Sequence, residues 1–124
     1  MGFDYQTFNY GHVLAIRTEH DLTLDDIHEI DHLIRSHCHQ IEGNVHIIVD
    51  LMMTEQYPRN VVDMKHEMEW VHQENLGWVV FLSENYYLNK MLDAAMHLSG
   101  HNYVMLNDFQ AALNLVSVSY EPVY

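Results

Sequence analysis

The sequence predicts an α/β domain with a mixed, mostly parallel sheet in the order β-β-α-β-α-β-α-β-α, spanning residues 1–124 as one unit. Three observations carry that expectation. NVHIIVDLM (44–52) and WVVFLS (78–83) are continuous apolar runs of strand length, as strands covered on both faces require. Amphipathic helical stretches separate them. The chain also opens with an alternating segment and a turn, which read as a hairpin at the edge of the sheet.

Taken in order, FDYQTFN (3–9) alternates Phe3, Tyr5 and Thr7 against Asp4 and Gln6, and Tyr10-Gly11 turns it into HVLAIRT (12–18). Thr23 is placed to cap a first helix, with Asp26 in the capping-box position. That helix is expected to run to about Glu42 and stop at Gly43. After the strand at 44–52, TEQYPRN (54–60) is a loop and Asn60 caps a second helix, VVDMKHEMEWVHQEN (61–75), closed by Gly77. WVVFLS follows, and SENYY leads into a third helix, LNKMLDAAMHLS (88–99), ended by Gly100. HNYVMLND (101–108) is the last strand, and Asp108 caps a closing helix, FQAALNLVSV (109–118). Strand–helix alternation after the hairpin calls for right-handed crossovers between parallel neighbours.

This succession resembles the STAS/SpoIIAA-like domains, including their anti-sigma-factor-antagonist and SEC14-like relatives. HIIVDLMM with its loop and helix, GWVVFLSENYY, and YVMLNDFQAAL carry the resemblance. A small flavodoxin-like domain would share the alternation and lack the opening hairpin. The resemblance implies a non-enzymatic role, in which the domain docks on a partner protein or on an identical copy, in bacterial regulation. In the regulated antagonists a serine at the start of the second helix is phosphorylated. Here that stretch is YPRNVV (57–62), without serine, so the phospho-switch is not carried over to any residue.

Composition narrows the partners. Eighteen acidic residues against five Lys and Arg give a formal charge of −13, a field that repels nucleic-acid backbones and anionic membranes. Eleven histidines would offset part of it in mild acid. Cys38 is the one cysteine, so no intrachain disulfide is possible. MGFDYQTFNY lacks the basic and apolar regions of a signal peptide, and Gln6 stands where the myristoylation pattern wants Ser or Thr. No apolar run reaches membrane-spanning length. The expectation is a cytoplasmic protein without cofactor.

HEIDH (28–32) has the His-Glu-x-x-His form of zinc proteases. On a helix, Ile27, Ile30, Leu33, Ile34, Cys38 and Ile41 form the apolar stripe. His28 and His32 share the opposite, solvent-facing side, with no third ligand in evident reach. The longer form of the motif fails at Arg35 and Cys38. His28 and His32 are therefore weak metal candidates, and a metal-dependent hydrolase ranks last. Cys38 on the stripe reads as a small core residue.

In an open α/β sheet, ligands gather beyond the carboxyl ends of the strands. That rim runs through Thr54, Glu55, Gln56, Tyr57, Pro58, Arg59 and Asn60, then Ser83, Glu84, Asn85, Tyr86 and Tyr87, then Asn107 and Asp108. Arg59 either holds an anion near a helix start or braces the loops by pairing with Glu55 or Glu84. On the second helix Val61, Met64, Met68 and Val71 form the buried face. Trp70 is expected on the outside beside Val62 and His66, as a contact surface for self-association. The leading expectation is thus a protein-interaction module, with rim binding of a small or lipid-like ligand as the rival. A ligand site would need a cavity of roughly 300 Å³ or more.

Overall fold

A computed structural model describes residues 2–120, with side chains to residue 117; position 1 and positions 121–124 of the expected domain lie outside it. The strands are β1 (Phe3–Phe8), β2 (Val13–Thr18), β3 (Val45–Asp50), β4 (Leu76–Leu82) and β5 (Val104–Leu106). The helices are α1 (Leu24–Gln40), α2 (Val61–His66), α3 (Tyr86–Ser99) and α4 (Phe109–Tyr120). The sheet order is β1-β2-β3-β4-β5, with β1 antiparallel to β2 and every later neighbour parallel. Each crossover therefore moves the chain one strand along.

Side-chain alternation sorts the two faces. Leu14, Ile16, Ile47, Val49, Val79 and Phe81 point toward α1, α2 and α3, where they meet Ile30, Ile34, Met64, Leu88 and Met96. Val13, Ala15, Ile48, Val80 and Leu82 point the other way, against Ala112 and Val116 of α4. Both faces are covered, which is why β3 is apolar on both sides, with only His46 within it and Asp50 at its end as polar residues.

Local signals set most boundaries. Thr23 accepts the Asp26 N–H at 3.1 Å while the Asp26 carboxylate accepts the Thr23 N–H at 3.0 Å, a complete capping box. Asn85 accepts the Leu88 N–H, so α3 begins at Tyr86, one half-turn earlier than expected. Gly100 ends it in the left-handed conformation with φ 75°. The last strand shrinks to three residues.

The second helix departs most from expectation. It stops at His66, and the chain re-forms as a 3-10 turn over Glu69–His72. A continuous helix would hold Trp70 outside. The break swings it inward, to 2% exposure, where it packs in the core under α1. Trp70 is therefore not a surface residue. Burying roughly 200 Å² of indole yields about 5 kcal/mol at ~25 cal/mol/Å². The helix bonds forfeited cost about 1 kcal/mol each and are partly replaced by tight-turn bonds such as Gln73 N–H to the Trp70 carbonyl. Tertiary burial wins.

A buried carboxylate secures the break. Asp31 accepts the Trp70 backbone N–H at 2.8 Å through Oδ1, and its Oδ2 takes Arg35 at 2.7 and 2.9 Å. The aspartate of HEIDH is thus a structural tether between α1 and the 3-10 turn.

Candidate functional site

Because β3 and β4 run parallel, their carboxyl ends deliver the loops 51–60 and 83–85 to one edge of the molecule, beside the N-termini of α2 and α3. This is the rim. Four of its polar side chains hold the loops. Thr54 is buried, donates to the Glu19 carbonyl at 2.8 Å and shares a short hydrogen bond with Thr18 Oγ1. Ser83 is buried and its Oγ accepts the Asn85 N–H at 3.1 Å. Asn60 and Asn85 spend their side-chain oxygens as helix caps. Asp50 accepts the Met52 N–H and Arg17 Nε.

Arg59 does not pair with Glu55 or Glu84. Its guanidinium lies 4.4 Å from the centroid of the buried Tyr57 ring, and Glu55 faces His20 at 3.4 Å instead. The cation–π contact replaces the expected ion pair because Tyr57 is fixed in the core while the carboxylates are free to stay in water.

Beside the exposed Glu55, Gln56, Arg59, Asn60 and Glu84, the rim carries exposed apolar side chains. Tyr86 and Tyr87 are 65% and 70% exposed and meet edge to face at 5.4 Å. Lys90 Nζ sits 5.4 Å from the Tyr86 centroid. Val62 on the first turn of α2 is 67% exposed, and Met53 in the β3 loop is 62% exposed, next to the half-exposed Met52. His66 lies in the open on α2. Tyr86 and Tyr87 at the rim, and Val62 and His66 on α2, were expected from the sequence; Met52 and Met53 were not. Met52 closed the expected strand at 44–52 and Met53 followed it, whereas β3 ends at Asp50 and leaves both outside. Exposed thioethers and rings that can repack suit a protein contact better than a reaction.

Beneath the rim, between the sheet and the helices, lies an apolar cavity of about 40 Å³ whose walls include Thr18, Leu51, Met64, Met68 and Leu88.

The remaining candidates fall elsewhere. His28 Nδ1 is 2.8 Å from Glu67 Oε2, and its ring meets His32 edge-on at 5.3 Å. Among the described residues, no three His, Cys, Asp or Glu side chains converge as a metal site. Burial pushes the Cys38 thiol up to about 11, so it stays protonated at neutral pH. Tyr103 is pushed up to about 12, first by its hydrogen bond to Asp93 and then by burial. Among the described residues no helix is long and apolar enough to cross a membrane.

No protein-family profile matches the chain, and no curated protein does. Among solved structures, an uncharacterized protein of the DUF3478 family from Shewanella loihica PV-4, with a SpoIIAA-like fold, superposes with a TM-score of 0.66. The match covers 92% of this chain and 93% of that one, at 14% identity. The chain has the SpoIIAA-like fold. Within that fold the rim is the end of the sheet where YPRNVV leads into α2, and there Asn60 holds the cap with its side chain.

Proposed function

We propose that this SpoIIAA-like domain is a non-catalytic, regulatory protein-interaction module that docks a partner protein at the strand-end rim. The supporting observation is the gathering of Met52, Met53, Val62, Tyr86 and Tyr87 as exposed apolar side chains at one end of the sheet. Such patches are more often contact sites than accidents on a folded domain. The exposed Glu55, Gln56, Arg59, Asn60 and Glu84 around these side chains would supply the polar margin that borders the apolar centre of a contact. The buried Trp70 drops out of this surface; Val62 and His66 remain at its margin.

The double variant Val62→Asp, Tyr86→Ser tests the reading. Both side chains are exposed, so stability should change by less than about 0.5 kcal/mol. Quantitative affinity capture from the native cell, followed by mass spectrometry, should lose a protein that the unmodified domain retains. Identical captures by the two proteins would refute the rim.

The rival reading, a lipid-like ligand under the rim, draws on the apolar cavity between α2, α3 and the sheet. At about 40 Å³ the cavity is far below the roughly 300 Å³ a small-molecule pocket needs. A ligand would have to displace Met64 or Met68, which favours the docking reading.

A further inference from the structure

The two edges of the sheet are unequal. β5 is three residues long and offers little to pair with. β1 runs six residues in unbroken register with β2, and Asp4, Tyr5, Gln6 and Thr7 are exposed. It carries none of the lysine, proline or bulge that commonly blunts an edge.

The phase of its hydrogen bonds is fixed. The Glu19 N–H donates to the Gly2 carbonyl at 3.0 Å, so in this antiparallel pair Asp4 and Gln6 bond inward to β2. Phe3, Tyr5 and Thr7 then turn their N–H and carbonyl groups outward. A second β1, brought up antiparallel about a two-fold axis at Tyr5, places Tyr5 against Tyr5 and Phe3 against Thr7, with all six outward groups bonded. Between them Asp4 of each copy falls directly opposite Gln6 of the other, a carboxylate facing an amide donor. Sliding the register two residues one way sets Asp4 against Asp4. Sliding it the other way leaves Phe3 unbonded. One register is self-complementary in both hydrogen bonds and charge.

The face on the α1 side agrees. Phe3 and Tyr5 of β1, with Glu29, His32, Leu33 and Ser36 of α1, line an open groove of about 510 Å³ along this edge. It lies where the second copy's Tyr5 ring would come in.

We propose that β1 is a self-association edge, joining two copies into a continuous ten-stranded sheet through antiparallel β1–β1 pairing centred on Tyr5. The occupant is a second copy because the strand complements itself. This contact is separate from the rim and does not depend on it. The outer side of α1 that carries HEIDH then borders the dimer groove, with Glu29 and His32 in its wall.

Equilibrium sedimentation of the full chain reads the pairing. The unmodified protein should approach twice 14.7 kDa with rising concentration. Tyr5→Pro removes an outward N–H that β2 does not use, so it should give a monomer while leaving the β1–β2 ladder in place. Gln6→Asp sets two like-charged pairs across the axis and should raise the dissociation constant about tenfold. Gln6→Lys faces Asp4 with a cation and should lower it. Should Tyr5→Pro fail to fold, the opposed shifts of the two Gln6 variants decide alone. A protein that stays monomeric to roughly millimolar concentration overturns the proposal. So does a dimer indifferent to the charge at position 6, or an edge that takes an unrelated extended peptide and no second copy.

Discussion

His46 is buried in β3 with its Nδ1 accepting the Trp78 backbone N–H at 2.8 Å. An N–H can only donate, so Nδ1 is unprotonated and the neutral ring carries its proton on Nε2. That atom finds no partner among the described residues. Burial first, and the neighbouring His12 second, lower its pKa from the ordinary 6.5. The unfolded chain therefore binds this proton at a higher pH than the folded one. The contribution is complete above about pH 6.5 and is lost as the pH falls toward the depressed folded value. Urea midpoints measured from about pH 7.5 down to about 5 should fall more steeply for the native protein than for His46→Asn, whose side-chain oxygen can still accept the Trp78 N–H. Parallel slopes would show that His46 does not titrate as described. The sequence marks His46 as a histidine inside an apolar run; its partner, reached across a register shift between β3 and β4, is invisible there. Gly77 is part of the same arrangement, since a Cβ at that position would stand 2.4 Å from the ring.

At the scale of elements, what was legible follows the reach of the signals. Thr23 with Asp26, Asn60, Gly100 and Asp108 act on backbone groups a few residues away, and the caps appear where those residues stand; Asn85, read as part of a lead-in, caps α3 in the same way. The end of α2 depends on α1, distant in sequence, so no local rule could place it. Asp31 was hidden differently. It lies four residues after Ile27 and three before Ile34, on the apolar stripe itself, but its polar type suggested the outer face. Its removal should be felt in both elements it joins. Asp31→Ala leaves the Trp70 N–H and Arg35 without their acceptor and should cost about 3 kcal/mol by chemical denaturation. Asp31→Asn keeps an acceptor for Trp70 and should cost about half, discounted because Arg35 is partly in solvent. Equal losses in the two variants would mean that Arg35, and not the tether to the 3-10 turn, carries the effect.

Across the whole molecule, the succession of elements, the mostly parallel sheet and the hairpin edge were readable because each rests on an alternation of apolar runs that chain topology restricts to few arrangements. The site was less so. Position at the strand ends could be inferred, whereas the division of rim residues into buried braces and exposed contacts depends on packing between elements. The net charge of −13 acts at this scale too. Acidic residues repel one another more in the folded chain than in the expanded one, and salt screens them. Raising sodium chloride from about 20 to about 500 mM should therefore raise the melting temperature by a few degrees. A fall would place net attraction, and not repulsion, among these charges.

The two tryptophans divide the protein into separately observable halves. Trp70 is sealed in the core on the helical-layer side, while Trp78 on the opposite face of β4 is 36% exposed. Excited together, they should emit as a blue component that acrylamide scarcely quenches and a redder one that it quenches readily. Loss of the tether at Asp31 would shift the first alone, and disturbance around His46 the second. The chain thus carries its own optical probes, one for each layer over the sheet, without any label.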